Sequence, residues 1–391
     1  MEHMSVRFRA TALLASFTML VALSTTASAR GTEALSLTAS AKNVALHESV
    51  TLVVAVDPAV AGQAVSILDA SGAVLASGTT ATDGTFSADV QPDANLVAHA
   101  SSLGVDSAPV AVGLRPTMKL SSGAFRLFDD VTARGTFKPV RQGQRVTVEL
   151  QHRGKVVATD HATMNASGRF RTTFTVPQAG SYRVRASLDA PDLLPGHAAT
   201  APSITPLPDL ASGAHGIYVE LLERRLVQLH YHLVGIDDVF DYRTADALMA
   251  FRKVQGMARV QTVDAATWRA LGSPKLFVPR NHDGGVHIEV DQTRQVLAIV
   301  RDGDVENIIH VSTGKPSTPT HDGSFHVFSK LAGFSSKQLY YPSFFDGERA
   351  IHGWTDVPTY AASHGCVRIP YWTALWMFDQ DPIGTPVIVY H

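Results

Sequence analysis

The hydrophobic pattern changes its period part-way along the chain, and this change governs which folds the chain can adopt. From about Gly31 to Asp209 apolar and polar residues alternate, as in Ser49-Val50-Thr51-Leu52-Val53-Val54 and Arg145-Val146-Thr147-Val148-Glu149-Leu150. Turns rich in Gly, Asp, Asn and Pro separate these runs. A period of two is that of a strand with one buried face, so this half of the chain is expected to be β structure.

The alternating region also repeats itself. Gly62-Gln63-Ala64-Val65 corresponds to Gly143-Gln144-Arg145-Val146, and Gly72 to Gly154. Asp83-Gly84-Thr85-Phe86 corresponds to Ala166-Ser167-Gly168-Arg169-Phe170 with one residue inserted. A spacing of about 80 residues suits one small antiparallel sandwich per copy. Two tandem Ig-like β-sandwiches, over residues 31–114 and 115–207, are the expectation. They read as spacers or binding modules, because no cluster of ionisable groups in them suggests chemistry.

A Pro- and Ser-rich stretch, Ala201-Pro202-Ser203-Ile204-Thr205-Pro206-Leu207-Pro208, ends the alternation. Beyond it Val219, Leu222, Leu226 and Leu229 recur at helical spacing, followed by Ala247, Leu248, Phe251 and Val254 in a second helix. A third helix starts at the N-cap Asp264, carries Trp268 and Leu271, and stops at Gly272. A small three-helix bundle over residues 213–273 follows from this spacing, with His230 and His232 read as surface residues. The order of the Leu222–Leu226–Leu229 face, Asp241-Tyr242-Arg243-Thr244, Phe251 with Gly256 and Thr267-Trp268-Arg269-Ala270-Leu271 resembles a peptidoglycan-binding module of the three-helix type. It departs from that pattern at Leu222, Arg252 and Gln261-Thr262.

From residue 284 to 391 strand periodicity returns, with His287-Ile288-Glu289-Val290 and Gln295-Val296-Leu297-Ala298-Ile299-Val300 expected to alternate in a β-meander. One helix, from Tyr371 to Asp379, is entered through Pro370. The fold class is therefore mainly β and multidomain.

At the N-terminus Arg7 and Arg9 precede an apolar stretch from Ala10 to Leu23 and the small residues Ala27-Ser28-Ala29. This is the pattern of a secretory signal peptide over residues 1–29, cleaved after Ala29 and leaving no stable membrane span. Export to the cell wall, or to the periplasmic or extracellular face, makes the cysteine count informative. Exported chains usually hold cysteines in disulfide pairs, and this one has a single cysteine, Cys366. A formal charge of −2 contains no basic excess and argues against a nucleic-acid partner.

Cys366 stands in Ser363-His364-Gly365-Cys366-Val367-Arg368, fourteen residues after His352 in Ile351-His352-Gly353-Trp354. Three readings of this thiol are open: a small core residue, a metal ligand with His352 and His364, or a nucleophile. A nearby helix N-terminus, His352 and Arg368 would each favour the thiolate, and Gly365 would let backbone N–H groups turn toward an oxyanion.

The motif resembles the signature of the L,D-transpeptidase catalytic domain, a mostly β fold, over residues 284–391. Val311-Ser312-Thr313-Gly314-Lys315, Thr318-Pro319-Thr320, Gly323, Phe345-Asp346-Gly347 and Gly384-Thr385-Pro386-Val387-Ile388-Val389 match in order, apart from an insertion at His321-Asp322. The resemblance implies Cys366 as the nucleophile and His352 as its base, with Ser363 and His364 supporting that base. It implies Gly365, Gly353 and Arg368 as oxyanion or substrate-binding residues. Peptidoglycan stem peptides would be the substrates and carbapenem-type β-lactams the inhibitors, with neither metal nor organic cofactor. A 3→3 cross-link would form through a cysteine thioester. Water as acceptor (an L,D-carboxypeptidase) and a non-catalytic wall-binding protein are the alternatives.

Overall fold

The computed structural model describes residues 33–282 and 284–391, and the expected signal peptide lies outside them. The chain divides into two compact units, the first ending at Gly113 and the second running from Leu114 to His391. Mainly β structure holds as expected, with four α-helices among the described residues. Among the described residues no helix is long and apolar enough to cross a membrane.

In the first unit, strands Ala34–Ala39, Val50–Asp57 and Thr85–Val90 form one antiparallel sheet. The second sheet is built around Leu96–Ser102, flanked by Ala64–Asp69 and Val110–Arg115. Val50, Leu52, Val54 and Val56 turn inward together, as their alternation requires.

The second unit opens with another pair of sheets. One contains β1 (Thr117–Ser122), β2 (Asp130–Lys138) and β3 (Arg169–Thr175). The other is centred on Arg145–His152 and Ser181–Leu188. The glycines that mark the sequence repeat share a conformation: Gly62 and Gly143, Gly72 and Gly154, and Gly84 and Gly168 all have φ between 73° and 85°. At Gly168 a side chain would also run into the Phe137 carbonyl at 2.5 Å, so only glycine closes that turn.

Three helices follow, α1 (Ile217–Gln228), α2 (Tyr242–Gln255) and α3 (Ala265–Gly272). The Asp241 carboxylate caps α2, Gly256 ends it in the left-handed region, and Asp264 with Thr267 closes a capping box on α3. Arg252, one of the departures from the peptidoglycan-binding pattern, is buried. It donates to the carbonyls of Ala258 and Thr262 and to the Thr267 hydroxyl, which ties α2 to the start of α3. His230 is exposed as expected, but His232 is not. Its ring stacks between Trp372 and Trp376, with centroids 5.2 and 3.8 Å away, and only 7% of the residue is exposed. Its flat apolar faces suit this slot, and burial lowers the pKa to about 4, keeping the ring neutral.

The C-terminal part has two sheets. β4 (Val286–Asp291), β5 (Val296–Arg301), β6 (Asp304–His310), β7 (Gly323–His326) and β11 (Pro386–Tyr390) make the first, in the order β6-β5-β4-β11-β7. β8 (Tyr340–Asp346), β9 (Arg349–Trp354) and β10 (Val367–Pro370) lie in the second, in that order. The topology is mixed rather than a simple meander, since β4 pairs with β11 and β9 with β10 in parallel. A turn of 3₁₀ helix, Tyr371–Thr373, then leads into α4 (Ala374–Gln380).

β5 departs from the expected alternation. Val296, Leu297, Ala298, Ile299 and Val300 are all buried, because both faces are covered. Val296, Ala298 and Val300 join Ile308, Phe251, Trp268 and Leu127 in one core, while Leu297 and Ile299 join Ile309, Val367 and Ile369 in another. The helices thus share their core with the C-terminal sheet. Phe251→Ala is expected to cost about 3–5 kcal/mol. In urea, tryptophan fluorescence and Cys366 accessibility should then shift together, whereas separate transitions would contradict the shared core.

Candidate active site

β9 and β10 bring the motif residues together. They pair in parallel with Ile351 opposite Val367 and His352 opposite Arg368. Ile351, Val367 and Ile369 point into the core, so the period of two turns His352 and Arg368 to the other face. Cys366, two residues before Arg368, approaches from that same side. His352, Ser363, His364, Cys366 and Arg368 all line one cleft of about 530 Å³. A larger groove of about 660 Å³, on the β1–β2–β3 sheet, is lined by neither cysteine nor histidine.

The loop before Cys366 is held by backbone and hydroxyl contacts. Ser363 Oγ donates to the Cys366 carbonyl at 2.5 Å and accepts from the Gly365 N–H at 3.1 Å. Thr318 Oγ1 donates to the Ser363 carbonyl and Thr320 Oγ1 to that of Gly365, at 3.1 and 2.9 Å. Gly314 pairs with Ser363, and a side chain there would meet the Thr318 carbonyl at 2.3 Å. Gly365 has φ 115°, and a Cβ would sit 2.9 Å from Arg349 Nε. The inserted His321 is recruited here too: its Nε2 meets Arg349 Nη2 at 2.9 Å and its Nδ1 meets Asp346 at 2.9 Å.

His352 is 2% exposed. Its Nδ1 lies 3.0 Å from the Gly353 carbonyl, which must accept, so the proton sits on Nδ1 and Nε2 keeps its lone pair. Ser363 bonds within its own turn, and His364 is exposed with Nε2 at 3.3 Å from Lys315 Nζ. The hydrogen bond orienting His352 therefore comes from Gly353. Trp354, not singled out in the sequence, meets the His352 ring edge-on at 5.5 Å and carries the Arg368 guanidinium over its face at 5.1 Å. Gly353 lies outside the cleft; a Cβ on it would meet Ala374 Cβ at 2.5 Å, so close packing requires glycine there. Among the described residues no three His, Cys, Asp or Glu side chains are grouped to hold a metal ion, and His364 approaches Lys315 instead.

The electrostatics differ from the expectation of a lowered thiol. β10 intervenes between Cys366 and the following helical turn, so no helix N-terminus faces the sulfur. Burial pushes the thiol pKa up, against the Ala350 backbone and the charges of Arg349, Arg368 and Lys337. Burial also lowers His352 to about 4. The resting pair is thus a neutral thiol and a neutral imidazole.

Residues 285–389 match the family model of the L,D-transpeptidase catalytic domain. This part of the chain belongs to that family. L,D-transpeptidase 1 of Mycobacterium tuberculosis is 31% identical over 114 residues, which is 24% of this chain. The chain spans 45% of the length of that curated relative. A crystal structure of an L,D-transpeptidase from Xylanimonas cellulosilytica is 33% identical, covers 47% of this chain and 99% of its own, and has a TM-score of 0.45. The catalytic domain of the Enterococcus faecium L,D-transpeptidase acylated by ertapenem is 29% identical, covering 28% of this chain and all of its own, with a TM-score of 0.24.

In the transpeptidase domain the segment 355–362 forms the rim between His352 and Ser363, and it is tethered from beneath. His310 Nε2 bonds the Val357 carbonyl at 2.9 Å, Ser312 Oγ donates to that of Tyr360 at 2.7 Å, and Arg259 donates to that of Thr359. Behind His310 lies Lys253 of α2. Its Nζ meets His310 Nδ1 at 2.6 Å and the Gln295 and Val311 carbonyls at 2.8 and 2.9 Å. Burial pulls this lysine below its ordinary range, Arg259 adds to that pull, and the Asp246 carboxylate opposes it. Because Val357 fixes the His310 proton on Nε2, Nδ1 can only accept, and the ammonium form satisfies all three partners.

A neutral resting pair makes a definite pH prediction. Alkylation of Cys366 by iodoacetamide follows the thiolate, so its rate should stay low through neutrality and keep climbing beyond the ordinary thiol value of 9.0. A fast plateau below neutrality would require a thiolate–imidazolium pair instead. Replacing Lys253 by Met leaves the His310 ring nitrogen and the Val311 carbonyl buried without a donor, while the Gln295 carbonyl keeps the Val311 N–H. It should cost about 3–5 kcal/mol in chemical denaturation and expose segment 355–362 to limited proteolysis.

Proposed function

We propose that this chain is an exported L,D-transpeptidase that forms 3→3 peptidoglycan cross-links through a Cys366 thioester. The observation that carries the reading is a lone thiol on the same sheet face as a tautomerically fixed imidazole, in a cleft whose cations Lys337, Arg349 and Arg368 outnumber its one carboxylate, Glu348. Such a cleft favours a peptide end bearing a carboxylate.

In the first half-reaction the Cys366 proton passes to His352 Nε2 as sulfur bonds to the carbonyl carbon of the third stem residue. The C–N bond to the terminal D-alanine breaks, and the imidazolium returns its proton to the departing amine. In the second, the side-chain amine of another stem attacks the thioester, giving its proton to His352, and the thiol leaves reprotonated. A neutral resting pair suits this cycle, because the charge separation develops with the tetrahedral intermediate rather than before it. The Gly365 N–H is committed to Ser363 Oγ, so the Cys366 N–H is the candidate oxyanion donor. Arg368, held over Trp354, would meet a substrate carboxylate or brace the loop.

Residues 1–29 would direct export, 31–114 and 115–207 would act as spacer modules, 213–273 as a helical module of peptidoglycan-binding descent, and 284–391 as the catalytic domain. The shared core and Lys253 support bracing of the catalytic domain as the helical module's work.

The decisive experiment incubates the protein with tetrapeptide-stem muropeptides and follows products by mass spectrometry. A dimer formed with loss of D-alanine is expected, and tripeptide alone would make the enzyme a carboxypeptidase. Intact-mass analysis after carbapenem exposure should show an adduct that Cys366→Ser abolishes. His352→Ala should slow acylation by about 10²–10⁴-fold. Unchanged stem peptides and no adduct would sink the enzymatic reading.

A further inference from the structure

The chain carries a net charge of −2, yet one face of the β1–β2–β3 sheet concentrates positive charge. Strand register pairs Lys119 with Thr136 and Thr136 with Arg169, then Ser121 with Arg134 and Arg134 with Arg171. Paired residues share a face, and residues two apart on a strand do too, so these six side chains form one outward patch. The intervening set, Gly135 and Phe170, is buried. All four cations are exposed and line the groove of about 660 Å³, and none has an ion-pair partner among the described residues.

Arg134 and Arg171 stand directly opposite each other on antiparallel strands, where like charges repel. The cations repeat at roughly 5 Å across strands and roughly 7 Å along them, within one screening length, so their fields add. Three are arginines, whose planar forks engage phosphate oxygens in pairs. Thr136, Ser121, Thr163 and Asn165 interleave hydroxyl and amide groups with these charges.

We propose that this groove docks a linear polyol-phosphate polymer, one phosphodiester charge per repeat, with the hydroxyls and amide bonding the polyol linkers. Charge complementarity selects this occupant. Peptidoglycan stems carry free amines as well as carboxylates, and the groove lining contains no acidic residue to receive an amine. Single-stranded nucleic acid has the right charge but binds by stacking on aromatic rings, and the one aromatic here, Phe170, is turned into the core. The site is independent of the cysteine chemistry.

The test titrates fluorescently labelled poly(glycerol phosphate) with the full chain at near-physiological ionic strength. Arg134→Ser with Arg171→Ser should weaken binding by about tenfold or more. Thr136→Glu, which deletes no arginine and sets a negative charge at the groove centre, should do the same. The control pair Arg145→Ser and Lys155→Ser, on other strands of the same module, should leave affinity within about twofold. Far-UV circular dichroism and iodoacetamide labelling of Cys366 report the fold of each variant without using the groove. Equal weakening by groove and control variants, no binding by the wild type, or equal affinity for a stem peptide or a DNA oligonucleotide would overturn the proposal.

Discussion

The second unit is organised by a strand with no free face. β5 is apolar on every residue from Val296 to Val300, and water is excluded from both sides only because the helices cover one and the catalytic core the other. Removing either partner would expose alternate members of the strand. Burial of apolar area is worth roughly 25 cal/mol per Å², and each covered face contributes on that scale. The helices are therefore part of the catalytic domain's stability, whatever their ancestry.

That arrangement places a charge where apolar packing alone would not. Lys253 leaves α2 and crosses to His310 and the Val311 carbonyl, one residue before Ser312, which pairs with Arg368. An ammonium in such a site is stable only when each proton has an acceptor. The result is a stiff link from helix to rim: Lys253 sets the acceptor nitrogen of His310, His310 holds Val357, and Arg259 holds Thr359. Hydrogen bonds with fixed donor sense resist sliding in a way that apolar contacts do not.

The features legible in the sequence were those set by local chemistry. Period two marked the strands, the repeated glycines marked turns that need positive φ, and Asp264 and Gly272 marked the ends of the third helix. The hexapeptide around Cys366 was legible because a lone cysteine among glycines and histidines is poor company for a core. What was not legible depended on distant partners. His232 looked like a surface residue until Trp372 and Trp376 closed on it from 140 residues or more further along. The uninterrupted run Val296-Leu297-Ala298-Ile299-Val300 did signal burial on both faces, and reading it as alternation missed that. The cationic groove escaped for a related reason: Lys119, Arg134, Arg169 and Arg171 are scattered in sequence and converge only through strand register.

The site itself shows why proximity of a histidine does not ensure a thiolate. Creating the ion pair would place two charges in a partly desolvated cleft, and burial opposes both, raising the thiol and lowering the imidazole. The nearby cations Arg349, Arg368 and Lys337 favour the thiolate but disfavour an imidazolium beside it, as Arg368 does for His352. A neutral pair is the consistent outcome. In the proposed reaction an anionic peptide end entering the cleft would offset the cations that repel the imidazolium and expel the remaining water. On the proposed function, proton transfer from the thiol to the imidazole would thereby be coupled to occupancy of the cleft.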